Sequence, residues 1–332
     1  MKQDSISQFR CPSCHSSLLR LSEKSCNNTH GEIAEGALEC VSCQNAYPIT
    51  TCIPRFVPVE NYAASFGLQW NVHRRTQLDS HTGLDISRKR LFAVSGWPEQ
   101  MQGQRILEAG SGAGRFTEVL LSTGADVYSF DYSMAVEANW KNNGDAPNLN
   151  LFQGDIIHIP FADRSFDKVL CLGVIQHTPD PERSFFSLAS KVRPGGQLVI
   201  DVYAKSIPSL LRWKYILRPI TKRMDKERLY RYVEKVVDVL LPLSIQLRRI
   251  GRGAGARLMP IVEYSWLGLS NELNRQWAIL DTFDMYSPLF DHPQSLSTVR
   301  DWFSRAGFEQ VDVRRGPNGV VGKGVCPVST AI

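Results

Sequence analysis

Apolar residues between positions 105 and 204 fall into short runs separated by amphipathic stretches, a pattern that predicts alternating strands and helices. The runs predict strands at 105–109, 126–131, 149–155, 165–172 and 197–203, with helices after residue 114 and over 182–192. The pattern resumes near the C-terminus. Val299, Trp302 and Phe303 share one face of a helix predicted over 295–306; Gly307 ends it, and strands follow at 308–314 and 319–326. Strands alternating with helices imply an α/β fold around one largely parallel sheet.

Three segments lie outside that pattern. Residues 1–58 are short, turn-rich and carry six of the eight cysteines. Residues 59–103 read as linker helices, one with Phe66 and Trp70 at helical spacing and another over 87–94, ended by Gly96-Trp-Pro98. Residues 205–290 interrupt the sheet pattern after its fifth strand. There Leu229, Tyr232, Val233, Val236, Val237 and Leu240 recur at helical spacing, and Pro208, Pro219 and Pro242 are expected to break the segment into pieces. The remaining residues, 291–332, return to the sheet.

The richest stretch is 105–131. Gly110, Gly112 and Gly114 follow the first strand, a helix follows them, and the second strand ends on Asp131. That arrangement makes a tight bend with close backbone approach and sets a carboxylate where it can bind ribose hydroxyls. A dinucleotide dehydrogenase is one reading of it. Glu108 argues for another, because a carboxylate within the bend repels a pyrophosphate and suits a cationic ligand.

The stretch resembles the first motif of class I methyltransferases, an acid followed by Gly-x-Gly-x-Gly and a later acid. Gly154-Asp155 after the third strand and Pro194-Gly-Gly196 before the fifth extend the resemblance, which covers about 104–204 and returns at 296–325. It implies a Rossmann-like seven-stranded sheet whose last strand is antiparallel, with S-adenosylmethionine as cofactor. It assigns cofactor contacts to Glu108, Gly110, Ser111, Gly112, Gly114, Asp131, Tyr132, Asp155, Ile156 and Gly173. The pattern Ser65-Phe-Gly-Leu-Gln-Trp70 with Thr76-Gln-Leu-Asp79 resembles the segment ahead of that core in bacterial zinc-ribbon methyltransferases. Phe66, Gln69, Trp70 and Thr76 are candidates to cover the methionine end; packing of the helix alone is the other reading. His177, just past the fourth strand, is the leading general base, with Tyr203, Asp284, Tyr286 and His292 as alternatives.

Cys11-Pro-Ser-Cys14 and Cys40-Val-Ser-Cys43 form two knuckles separated by 25 residues, a spacing that suits one tetrahedral Zn²⁺ of structural type. Cys26, His15, His30 and Cys52 are rival ligands without a partner at knuckle spacing. Cys171 and Cys326 read as core. The segment ending at Val57 resembles the zinc-ribbon protein that partners tRNA methyltransferases.

Composition narrows the setting. The chain has 332 residues, is 43% hydrophobic, and contains no run of 18 apolar residues. Its N-terminus lacks a signal-peptide pattern, so a cytoplasmic address is expected. Its net charge of +5 hides a concentration: residues 205–257 hold fourteen Lys and Arg against four acids, which leaves the remainder acidic. This basic insertion leaves the C-terminal edge of the sheet, where it can cap an acceptor site, and it could meet phosphate, nucleic acid or an anionic membrane face. The favoured function is methyl transfer to oxygen or nitrogen of a small-molecule or glycan-type acceptor. The alternatives are a tRNA or rRNA base methyltransferase, which lacks support from any Asn-Pro-Pro-Tyr-type motif, and a non-catalytic scaffold.

Overall fold

A computed structural model describes residues 1–28, 31–58, 61–205, 213–250 and 259–328. His30, Pro208, Arg212, Arg252 and Arg257 lie outside the described residues.

The seven-stranded sheet contains β6 (Arg105–Ala109), β7 (Asp126–Asp131), β8 (Leu149–Gln153), β9 (Phe166–Leu172), β10 (Val192–Val202), β11 (Glu309–Gly316) and β12 (Gly319–Val325). Its order is β11-β12-β10-β9-β6-β7-β8. Strands β6 to β10 run parallel, and β12 pairs antiparallel with β10 and β11. The seven-stranded sheet with an antiparallel last strand is the one expected. All seven residues of β9 are buried, as a central parallel strand covered on both faces requires. Alternate residues serve opposite faces. Leu107, Phe130, Val169, Cys171 and Ile200 feed one core, with Phe185 of α6 (Pro181–Lys191) and Phe303 of α10 (Leu296–Arg305). Ile106, Val127, Leu170 and Val199 feed the other, with Leu91 of α3 (Ile86–Ser95), Val119 of α4 (Arg115–Leu121) and Val136 of α5 (Ala135–Asn143).

The N-terminal segment builds a second sheet from β1 (Leu19–Leu21), β2 (Cys26–Asn27), β3 (Ile33–Cys40), β4 (Ala46–Thr50) and β5 (Ile53–Pro54). It docks on β8, the outermost parallel strand. Phe9 and Phe56 pack on Phe152, with centroids 5.7 and 6.2 Å away. Phe56 N–H donates to Gln153 O, and the Arg55 guanidinium reaches Gln153 Oε1 at 3.1 Å and Glu137 at 3.2 Å. The edge that β8 would expose to other strands is thereby covered.

The insertion forms a cap. Helix α8 (Lys226–Ile250) buries Leu229, Val233, Val237 and Leu241 against Ala278, Ile279 and Phe283 of α9 (Asn271–Tyr286). The sequence pattern is corrected in two respects. Pro242 does not break α8, which runs through it for 25 residues; the proline is exposed and packing of the buried stripe on both sides holds the helix together. Tyr232 and Val236, expected on the apolar face, are 58% and 41% exposed. Pro219 likewise lies within α7 (Trp213–Thr221).

Because Phe56 links ribbon to sheet, Phe56→Ala should lower stability by about 3–5 kcal/mol in equilibrium urea unfolding. A loss below about 1 kcal/mol would show that the two units do not share a core.

Candidate functional site

The parallel strands all end on one edge, and a cavity of about 840 Å³ opens there. Its floor is the bend after β6. Gly110, Gly112 and Gly114 have φ of 78, 54 and 89°, the left-handed region that favours glycine. Space forbids larger residues as well: a Cβ on Gly110 would lie 2.2 Å from Val174, and one on Gly114 2.2 Å from Asn139. Gly112 N–H donates to Asp131 Oδ2 at 2.9 Å, while Oδ1 accepts from the N–H and hydroxyl of Ser133 at 2.9 and 2.7 Å. Burial raises the Asp131 carboxyl above its ordinary range, opposed by these hydrogen bonds.

Gly110, Ser111, Gly112, Asp131, Tyr132, Ile156, Gly173, Phe66, Gln69 and Trp70 all line the cavity. The buried Ser111 hydroxyl aims into it without a protein partner. Tyr62, from the start of the linker, stacks on Tyr132 with centroids 4.7 Å apart. Helix α1 (Ala64–Val72) brings Trp70 over the bend, 3.0 Å from where a Gly112 Cβ would stand.

Several expected residues lie elsewhere. Glu108 is behind the bend: its Oε2 accepts from the hydroxyls of Thr117 at 2.5 Å and Ser129 at 2.7 Å. Gly114 starts α4 and packs beneath Asn139 and Asn143, outside the cavity. Asp155 turns back on its own loop, accepting from Ile157 N–H at 2.8 Å and facing His158 Nδ1 at 3.2 Å. Thr76 is buried beside α9, where its carbonyl accepts from Trp277 Nε1–H. Tyr286 donates to Pro260 O at 2.7 Å inside the cap, and exposed His292 stacks on Phe290; neither reaches the cavity.

The opposite wall carries His177, Tyr203 and Asp284. His177 is buried, with Nδ1 3.0 Å from Phe290 O, a pairing that places the proton on Nδ1. Its buried Nε2 has no protein partner. Burial lowers its pKa, against the opposing charge of Asp284, so the ring is held neutral. Phe66 and Tyr203 flank it at 5.2 and 5.3 Å. Tyr203 donates to Asp284 Oδ2 at 3.0 Å, and Gln69 Nε2 donates to Oδ1 at 3.4 Å.

Charged groups from linker, core and cap that the sequence pattern did not single out also line the cavity: Arg90, Arg115, Lys214 and Asp281. Arg90 pairs with Asp201 at 2.6 Å and Lys214 with Asp291 at 2.8 Å. Arg115 makes no ion pair within 4 Å among the described residues; it is held by Ser87 and Gln77, and burial, with nearby Arg90, lowers its pKa to about 10. Burial raises Asp281 to about 6; the Tyr264 hydroxyl donates to it, and the charge of Asp284 adds to the rise. Arg115 directly follows the third glycine, a signal available in the sequence. The others depend on how α3, α7 and α9 fold around the bend.

In the ribbon, the sulfurs of Cys11, Cys14, Cys40 and Cys43 all lie within 4.8 Å of one another. Sulfurs at about 2.3 Å from a tetrahedral Zn²⁺ stand about 3.8 Å apart, so the quartet fits that ion. Backbone N–H groups of Ser13 and Cys14 point at Cys11 Sγ, and those of Ser42 and Cys43 at Cys40 Sγ, which favours thiolates. His15, Cys26 and Cys52 are not part of this cluster, the only one of its kind among the described residues, and His30 lies outside them.

Residues 107–200 match the family described as "Methyltransferase domain". The chain is 30% identical over 113 residues to a ubiquinone biosynthesis O-methyltransferase of Coxiella burnetii, covering 33% of this chain and 48% of the relative. It is 31% identical over 102 residues to a demethylmenaquinone methyltransferase of Renibacterium salmoninarum, covering 31% and 42%. An uncharacterized Synechococcus protein is 28% identical over 228 residues, 64% of this chain and 49% of that one. The chain therefore spans less than half the length of these relatives. A solved S-adenosylmethionine-dependent methyltransferase from Aquifex aeolicus aligns with 81% of this chain and 99% of its own at 13% identity and a TM-score of 0.40.

Burial raises the Glu108 carboxyl from 4.5 to about 7, against the hydrogen bonds from Thr117 and Ser129. Between those values the folded chain keeps a proton that the unfolded chain releases, so stability falls as pH rises through the window, by about 3 kcal/mol in all. Glu108→Gln should remove that slope and be the more stable protein at pH 8. Parallel slopes for both proteins in urea unfolding between pH 4.5 and 7.5 would refute the assignment.

With the bend, the acid at the end of the second strand and the family match in agreement, the core of this chain, residues 107–200, is a methyltransferase domain of the S-adenosylmethionine-dependent kind.

Proposed function

We propose that the chain moves a methyl group from S-adenosylmethionine to oxygen or nitrogen of a small-molecule acceptor. One observation carries the reading: a single cavity joins the glycine bend to a buried neutral imidazole whose Nε2 is unpartnered. The backbone of Gly110, Ser111 and Gly112 would lie against the cofactor, Asp131 would accept from its ribose hydroxyls, and Tyr132 and Ile156 would border its base. Phe66 and Trp70 would cover the methionine end, and Arg115, half-buried and without an ion pair within 4 Å among the described residues, would receive its carboxylate. Bound there, S-adenosylmethionine supplies a methyl group already activated by the sulfonium.

The protein's own contribution is placement, exclusion of water and removal of one proton. His177 takes that proton at Nε2, while Phe290 O accepts from Nδ1–H and steadies the resulting imidazolium. Asp284 adds a compensating charge. The two quinone-pathway relatives, though matched over a third of this chain, support a small organic acceptor over RNA. The four cysteines are proposed to hold one structural Zn²⁺ that stabilises a segment too small to fold on burial alone.

Asp131→Ala should weaken S-adenosylmethionine binding in calorimetry at least about 10-fold, since charged hydrogen bonds contribute roughly 1.5–3 kcal/mol each. His177→Ala should retain that affinity and lower labelled-methyl transfer into the small-molecule fraction of a cell extract by about 10²–10⁴. Label appearing in RNA would favour the base-methylation alternative, and unaltered cofactor affinity in Asp131→Ala would sink the ribose assignment.

Elemental analysis of purified protein should find one zinc per chain, absent from Cys40→Ser together with a fall in Tm. A metal-free wild type with an unchanged Tm would remove the zinc from the account.

A further inference from the structure

The outer face of α8 is divided along its length. At 100° per residue, Tyr232, Val236, Val239, Leu243 and Ile250 fall within one sector of about 60°. All five are exposed, Val239 by 73% and Ile250 by 83%. The next sector holds Arg228, Arg231, Lys235 and Arg249, exposed and without an ion pair among the described residues. The acids of the helix lie beyond, and Glu234 and Asp238 are occupied by Arg275 at 3.3 and 2.6 Å. Thus an apolar stripe and an uncompensated cationic stripe run side by side.

Helix α7 repeats the theme. Trp213, Ile216 and Ile220 are 43%, 59% and 69% exposed, at spacings of three and four residues. Its other face is internal: Lys214 and Tyr215 line the cavity. Trp266, 62% exposed, also contributes to the cavity wall. Exposed apolar groups at this density on one small cap point to a partner.

We propose that the cap is a docking surface for an anionic lipid bilayer. Charge complementarity selects this occupant. Phosphate headgroups satisfy the cationic stripe while the acyl boundary takes the aliphatic one, and a bilayer offers both within the reach of a single helix. Nucleic acid would answer the cations but leave Val239, Leu243 and Ile250 exposed to water. A second copy of the chain, packed face to face, would oppose four cations with four. No described helix is long and apolar enough to cross a membrane, so α8 lies on the surface.

The test is co-sedimentation of the full-length protein with vesicles of phosphatidylglycerol and phosphatidylcholine, and with phosphatidylcholine alone. Binding is expected to the anionic vesicles, with at least about 10-fold less to the neutral ones. Val239→Asp/Leu243→Asp should lose at least about 10-fold in vesicle affinity, with Tm and S-adenosylmethionine affinity unchanged, because both residues are exposed and neither lines the cavity. Arg231→Glu/Lys235→Glu should do the same through the other stripe. The proposal is overturned by absence of binding to anionic vesicles. It is equally overturned if the apolar double variant binds them as wild type, if the stripe binds RNA in place of vesicles, or if Val239→Asp/Leu243→Asp merely dissolves a dimer in sedimentation velocity.

Discussion

The hydrogen bond from Gly112 N–H to Asp131 ties together two strand ends that the rest of the site depends on. It holds the bend after β6 against the end of β7, so the glycines cannot relax toward ordinary backbone angles without breaking a buried charge-assisted contact. The bend leaves its main chain facing the cavity, and Val174, Trp70 and Asn139 crowd every place where a side chain would grow. Glu108 contributes from behind: held by Thr117 and Ser129, it joins β6 to α4 and β7 and fixes the angle at which the bend leaves the sheet.

That floor becomes an enclosed site only because segments on either side of the core in sequence meet above it. Helix α1 delivers Phe66 and Trp70 from before the core; α7 and α9 deliver Lys214, Asp281 and Asp284 from after it. Gln69 to Asp284 and Thr76 to Trp277 are the seams between the two. The ribbon performs a different task. It covers the β8 edge through Phe9 and Phe56, far from the charged wall, and its aromatic cluster continues directly into the core of the sheet.

Much of this was legible in the sequence, for reasons that differ by element. The central parallel strands are buried on both faces and announce themselves as apolar runs; the bend is visible because its angles favour glycine. The knuckles are visible because four thiols in two close pairs serve few other purposes. What escaped prediction is tertiary. Glu108 carries the right residue type at the right spacing, yet Thr117 and Ser129 hold it behind the bend, and Asp155 is engaged by Ile157 N–H and His158 beside the cavity-lining Gly154 and Ile156. Tyr286 and His292 lie within a few residues of Asp284, but helical rotation and the turn at Pro288 send them elsewhere. Pro242 misled because a single missing N–H is outweighed by the buried stripe of α8 on both sides of it.

The charges around the cavity follow a rule that links its two walls. A charge withdrawn from water is costly without a partner, and Arg90 and Lys214 have theirs in Asp201 and Asp291. Arg115 hydrogen-bonds only to neutral groups, Gln77 and Ser87, and desolvation together with the like charge of Arg90 lowers its pKa. Asp281 is the reciprocal case, a carboxyl raised to about 6 and satisfied by Tyr264 and Gln77. Gln77 therefore stands between Arg115 and Asp281, accepting from the guanidinium and donating to the carboxyl group. One buried amide thus bridges the two walls of the cavity, so the position of the Arg115 guanidinium and that of the Asp281 carboxyl are fixed by the same side chain.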